Sequence, residues 1–154
     1  MSQQIDLLAI SRRGAAAIVE GLSPTALTTI PQGFNNHLLW QLGHLVVTQQ
    51  ILCYKLSGLP MAVDDDTLSL FMKGSKPREW GSAAVPDVGH LVEQALGLVD
   101  KLRVDYDRGI FKSFQTYTTS TGYVLNNIDD ALAFNNFHEG VHLGEMRALR
   151  RLVR

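Results

Sequence analysis

Between Asn35 and Leu56 the chain is apolar nearly all the way round a helix, with Leu38, Leu39, Leu42, Leu45, Val46, Val47, Ile51 and Leu52 covering most directions. Such a helix is central, so the other elements must be arranged around it. Asn35 or Asn36 is read as its N-cap, and Gly58 and Pro60 as its stop. One stripe is more polar than the rest. His37, Trp40, Gln41, His44, Thr48 and Lys55 fall within about 60° of His44, which predicts a seam facing a cavity rather than uniform packing.

Three further segments carry a helical period. Ile5 to Leu22 repeats Ile5, Leu8, Ala9, Ala15, Ala16 and Val19, with Ser2 as a cap and Gly21 as an end. Pro86 to Gly109 has the cleanest spacing, through Val88, Leu91, Val92, Ala95, Val99, Leu102 and Tyr106. The last helix starts at Asn126 or Asn127, where Asp129 and Asp130 suit its positive end, and runs almost to the C-terminus. Ser23-Pro24 opens a short turn or helix, and Asp64-Asp65-Asp66 caps another over Thr67 to Met72, because the spaced ligands of a calcium loop are absent. The aromatic and threonine residues from Phe111 to Tyr123 predict a small ribbon turning at Thr121-Gly122. Four long helices with short breaks predict an all-α fold: one domain over 1–154, a four-helix bundle whose second and fourth long helices are neighbours.

The last helix holds His138 and His142 four positions apart. Residues so spaced lie one turn apart on the same face, so both imidazoles can reach one metal ion. The third candidate ligand is His44, another imidazole in an apolar helix, and three neutral imidazoles leave one coordination position open. Each taken alone reads as an ordinary core histidine. Three together would need a buried partner for six ring nitrogens, and a shared ion satisfies one nitrogen of each. The string His138-Glu139-Gly140-Val141-His142 also matches the zinc-protease signature, with Glu139 as base. Against that reading, Glu139 points about 100° away from His138, and no histidine follows His142.

Around these ligands, Trp40 and Phe134 precede His44 and His138 by one turn and are expected to wall a binding cavity. His37, two turns from His44, is too far to bind the same ion and is expected to line the pocket. Glu145 projects about 20° from His138 and is the candidate catalytic carboxylate, acting on a water or substrate at the metal; as a direct ligand it would instead close the site. Gly140 and Gly144 are read as allowing a close helix neighbour. Cys53, counted half a turn from His44, is read as a small core residue.

A formal net charge of -1 supplies no bulk field toward nucleic acid or anionic lipid. Arg147, Arg150, Arg151 and Arg154 cluster at the C-terminus and are read as cations against the negative end of a helix dipole. One cysteine, no leader-like N-terminus and no membrane-length apolar run give the expectation of a cytoplasmic protein with no membrane partner. A homodimer is expected.

Asn35-Asn36 leading to Trp40-Gln41-Leu42-Gly43-His44-Leu45, and His138-Glu139-Gly140-Val141-His142-Leu143-Gly144 followed by Arg147 and Leu149, resemble the DinB-like superfamily. The resemblance covers nearly the whole chain. It implies a divalent metal, zinc or nickel, held by His44, His138 and His142, and an activity such as transfer of a low-molecular-weight thiol to a small electrophile, or hydrolysis. Glu145 departs from the glutamine common in relatives. The competing expectation is a non-catalytic, stress-associated metal module.

Overall fold

A computed structural model describes residues 2–81 and 85–153. The α-helices are α1 (Gln3–Val19), α2 (Pro24–Thr28), α3 (Leu38–Gln49), α4 (Asp65–Phe71), α5 (Val88–Asp107) and α6 (Ile128–Leu152). A two-stranded antiparallel ribbon, β1 (Tyr117–Thr118) with β2 (Val124–Leu125), precedes α6. The fold is therefore all-α apart from this ribbon. No helix among the described residues is long and apolar enough to cross a membrane.

Local chemistry starts most helices where their orphan N–H groups find an acceptor. Asp64, Asp87 and Asn127 each cap the helix that follows by accepting from the N–H three residues on. Helix α3 differs from expectation. It begins at Leu38 rather than Asn35 or Asn36, because His37 is the cap: its Nδ1 accepts from the Trp40 N–H at 3.0 Å. Ser2 occupies the cap position of α1 without a side-chain cap bond.

Nor does the second long helix remain regular to Leu56. After Gln49 it widens into a π-helical turn over Gln50–Tyr54, tightens into a 3-10 turn over Lys55–Ser57, and stops at Gly58 with φ 70°. A π turn adds a residue to the local repeat, so positions beyond it no longer follow the 100° count from His44. Cys53 is fully buried beside Ile5, Leu8 and Tyr54, as a core residue would be.

Helix α3 is central. It packs against α1, α4, α5 and α6, while α1 packs against α5 and α6. Leu38, Leu42, Leu45, Val46 and Val47 are all fully buried, which satisfies its all-round apolar sequence. At Gly43 the missing side chain lets the buried Phe71 ring lie directly against the α3 backbone; a Cβ there would overlap the ring. Gly43→Ala is therefore expected to destabilise the fold by about 1–3 kcal/mol through overpacking, despite alanine's better helix propensity. A urea midpoint that is unchanged or raised would contradict this close approach.

Two other glycines depart from expectation. Gly140 and Gly144 face open space, with no neighbouring atom within 4 Å of where a Cβ would stand, so among the described residues neither has a close helix partner. Their side of α6 also exposes Phe137 and Val141. Arg150 and Arg151 stand in the last turn of α6, at the negative end of its dipole as expected, and Arg150 also donates to the carbonyls of Ala17 and Ile18 in the last turn of α1. Arg154 lies outside the described residues.

Candidate metal centre

His44 sits in the middle of α3, where α4 and α6 meet it. Its Nδ1–H donates to the Phe71 carbonyl at 2.7 Å, which leaves the lone pair on Nε2. The Trp40 indole, one turn earlier, stacks on the imidazole with centroids 4.5 Å apart and planes 12° from parallel. These two contacts hold the ring in one orientation.

The other two imidazoles come from α6, one turn apart. His142 donates through Nδ1–H to the Gln41 side-chain carbonyl, so its lone pair is also on Nε2. His138 brings its Nε2 to 3.2 Å from His44 Nε2. One potential ligand atom from each of the three histidines lies within 4.8 Å of the others, and no other such group of histidine, cysteine or acidic side chains occurs among the described residues.

This arrangement fits a metal. Two nitrogens bound at about 2.0–2.1 Å to one tetrahedral zinc ion lie about 3.3 Å apart, close to the observed separation. A simple hydrogen bond between His138 and His44 would satisfy that pair and leave the His142 lone pair unused. His138 Nδ1 is buried without a partner. All three imidazoles come from helices, and two have their far nitrogens occupied by protein carbonyl groups, which is how histidine ligands are usually oriented.

Electrostatics keep the histidines in the ligating form. Burial lowers the pKa of His138 to about 2, helped by the nearby His142 and His44, and lowers that of His142 to about 4, helped by His44. His44 is lowered too, chiefly by burial, against the opposing bond to Phe71. Neutral imidazole is the form that binds a metal ion. For the metal-free protein the consequence has a definite sign. An unfolded chain protonates its histidines below about pH 6.5, whereas the folded chain resists, so stability rises with pH across that window. The melting temperature should fall as pH is lowered from about 7 toward 4; one that holds steady or rises would contradict this.

The three histidines open onto a cavity of about 430 Å³. Trp40 and Phe134 line it, together with Thr48, Ile51, Leu52 and Leu56. His37 does not. Its ring caps α3 and packs edge-on against Trp80, lining a separate groove with Arg78 and Pro86. The helical count extrapolates α3 past its start at Leu38 to His37, where the backbone is already extended.

Glu145 is outside both the histidine group and the cavity lining. It is partly buried next to Gln41; burial raises its carboxyl pKa, and the Gln41 amide opposes that rise. The Gln41 Nε2 nevertheless lacks a hydrogen bond of normal geometry, so the amide lies beside the carboxylate rather than firmly bonded to it. Gln41 is visible in the polar stripe of α3. Its role is not, because only the tertiary structure puts His142 beside it.

Glu139 faces away from the metal site. Fully buried, it meets the Arg12 guanidinium, with Nη2 at 2.8 Å and Nε at 2.9 Å from Oε1. Arg12 is fully buried as well and also donates to the Leu45 carbonyl at 2.6 Å and the Ala95 carbonyl at 3.5 Å. One side chain from α1 thus touches α3, α5 and α6. A signal for it exists in the sequence: Arg12 occupies the Ile5, Leu8, Arg12, Ala15, Val19 stripe on which every other member is apolar.

The family model described as the DinB superfamily matches residues 7–146, a span that includes all three histidines. No curated protein matches the chain significantly.

Proposed function

The chain belongs to the DinB superfamily, and from that premise we propose a divalent-metal protein, a four-helix bundle of α1, α3, α5 and α6 that uses its site in thiol transfer or hydrolysis. The observation that carries the reading is the convergence of His44, His138 and His142, with two of their Nδ1–H groups engaged by Phe71 and Gln41. Neutral imidazoles suit zinc or nickel. Such an ion supplies Lewis acidity, lowering the pKa of a water or thiol delivered to its open position.

The chain's own residues do the rest. Phe71 and Gln41 fix the imidazole tautomers, and Trp40 holds His44 flat. Phe134, Ile51 and Leu52 wall the cavity with apolar surface, which keeps the local dielectric low and strengthens charge interactions there. Glu145, half-buried beside Gln41, places a carboxylate next to the residue that holds His142. The thiol must come from a cosubstrate, because Cys53 is fully buried and its own thiol is pushed up to about 12 by that burial.

A non-catalytic metal module would be favoured by a fourth protein ligand. Among the described residues none joins the three histidines, which supports the catalytic reading over the structural one. The test is metal content of untagged protein, followed by titration of the cobalt-substituted form with a small thiol. A changed visible spectrum supports an exchangeable position. Glu145→Gln is expected to retain the metal at full stoichiometry while altering turnover, since an amide preserves shape and removes charge. Metal lost from that variant, together with a wild-type spectrum indifferent to thiol, would favour the closed module.

A further inference from the structure

The histidine cavity has one charged side chain apart from its imidazoles, Lys73, and no carboxylate lines it among the described residues. Lys73 makes no ion pair among the described residues. It is not an arbitrary surface lysine. The loop carrying it is fastened to the site on both sides: the Phe71 carbonyl accepts from His44, and the Ser75 hydroxyl accepts from the Trp40 indole N–H at 2.9 Å. Lys73 lies between those two anchors, close enough to His44 for its charge to press that imidazole's pKa down.

The turn of the ribbon contributes Thr119 and Ser120 to the same cavity. Deeper surfaces are hydrocarbon, from Ile51, Leu52, Leu56 and Phe134. An uncompensated cation at the rim of an apolar cavity favours an anion, and a dication held only by neutral imidazoles would add to that preference.

We infer that the cavity takes a small amphipathic organic acid, its carboxylate held by Lys73 and its hydrocarbon portion laid along Ile51, Leu52, Leu56 and Phe134 toward the three histidines. This deepens the metal-site reading and rests on it for the chemistry performed, but not for the recognition of the acid. Lys73 is a specificity residue: it selects the charge of the substrate and takes no part in bond making. Lys73→Arg preserves the selection, and Lys73→Gln removes it.

The probes are 4-phenylbutyrate and 4-phenylbutanol, which share a hydrocarbon body and differ in charge. Binding is followed by calorimetry and by tryptophan fluorescence, since Trp40 stacks on His44 in the cavity. Wild type is expected to bind the acid about tenfold more tightly than the alcohol. That ratio should fall about five- to tenfold in Lys73→Gln, in both metal-loaded and metal-stripped protein, with affinity for the alcohol unchanged. Equal affinities in wild type, a ratio undiminished in Lys73→Gln, or failure of both probes to bind would overturn the inference. Metal content, measured on the same samples, separates the two ideas. A Lys73-dependent preference in protein that takes up no metal removes the metal reading and keeps this one; metal uptake without a charge preference does the reverse.

Discussion

Replacing His44 by alanine is expected to weaken metal binding by at least about a hundredfold, even though His138 and His142 remain one turn apart on α6. Two imidazoles on one helix make a weak chelate; the third joins α3 to α6 and makes the ion part of the tertiary structure. The same loss should appear in thermal stability. Saturating a site at about a hundred times its dissociation constant adds about 2.7 kcal/mol, which corresponds to roughly 5–10 °C in melting temperature for a chain of this size. His44→Ala should show almost none of the metal-dependent rise seen in wild type. His90→Ala, at an exposed position on α5, is the control and should keep it. Full metal stoichiometry in His44→Ala would overturn the cross-helix assignment, whatever the effect on stability.

The second large effect belongs to Glu139, for stability rather than catalysis. Its carboxylate is fully buried against Arg12, and Glu139→Gln leaves a guanidinium in the core without its counter-charge. Breaking a buried pair in this way costs about 3–5 kcal/mol. Removing both charges with apolar residues of similar volume, as in Arg12→Met with Glu139→Leu, should recover most of that loss, because a well-packed apolar replacement avoids the desolvation penalty. Chemical denaturation of the two single variants and the double variant gives the coupling energy directly. Below its unfolding midpoint, Glu139→Gln should hold metal as wild type does, and wild type should not cleave denatured protein. Metal-dependent proteolysis abolished by Glu139→Gln would restore the protease reading of the His-Glu-x-x-His string.

That string shows how far local pattern carries. The i, i+4 spacing of His138 and His142 is a property of any α-helix, so their shared face follows from sequence alone. The third histidine is reachable because His44 interrupts the apolar run Leu42-Gly43-His44-Leu45-Val46 on the polar stripe of that helix. Two helix starts are legible for the same local reason: Asp64 and Asn127 satisfy N–H groups only three residues away. His37 is misplaced by the helical count because an imidazole can also cap a helix, and at that position its ring turns back to the Trp40 N–H instead of toward the site.

The remaining features depend on contacts between residues far apart in the chain. Arg12 and Glu139 are separated by 127 positions, and Gln41 and His142 by 101, so neither pairing follows from local pattern. Lys73 belongs to a loop of surface composition, and only the Phe71 and Ser75 anchors carry it to the cavity rim. Gly140 and Gly144 show the converse, since absent side chains permit a close approach without requiring one. Sequence by itself determined which helices form and which of their faces carry imidazole, because backbone periodicity and capping act within a turn or two. Tertiary structure alone decided which polar groups meet, since a buried charge or amide is stabilised by partners whose positions depend on how the helices pack.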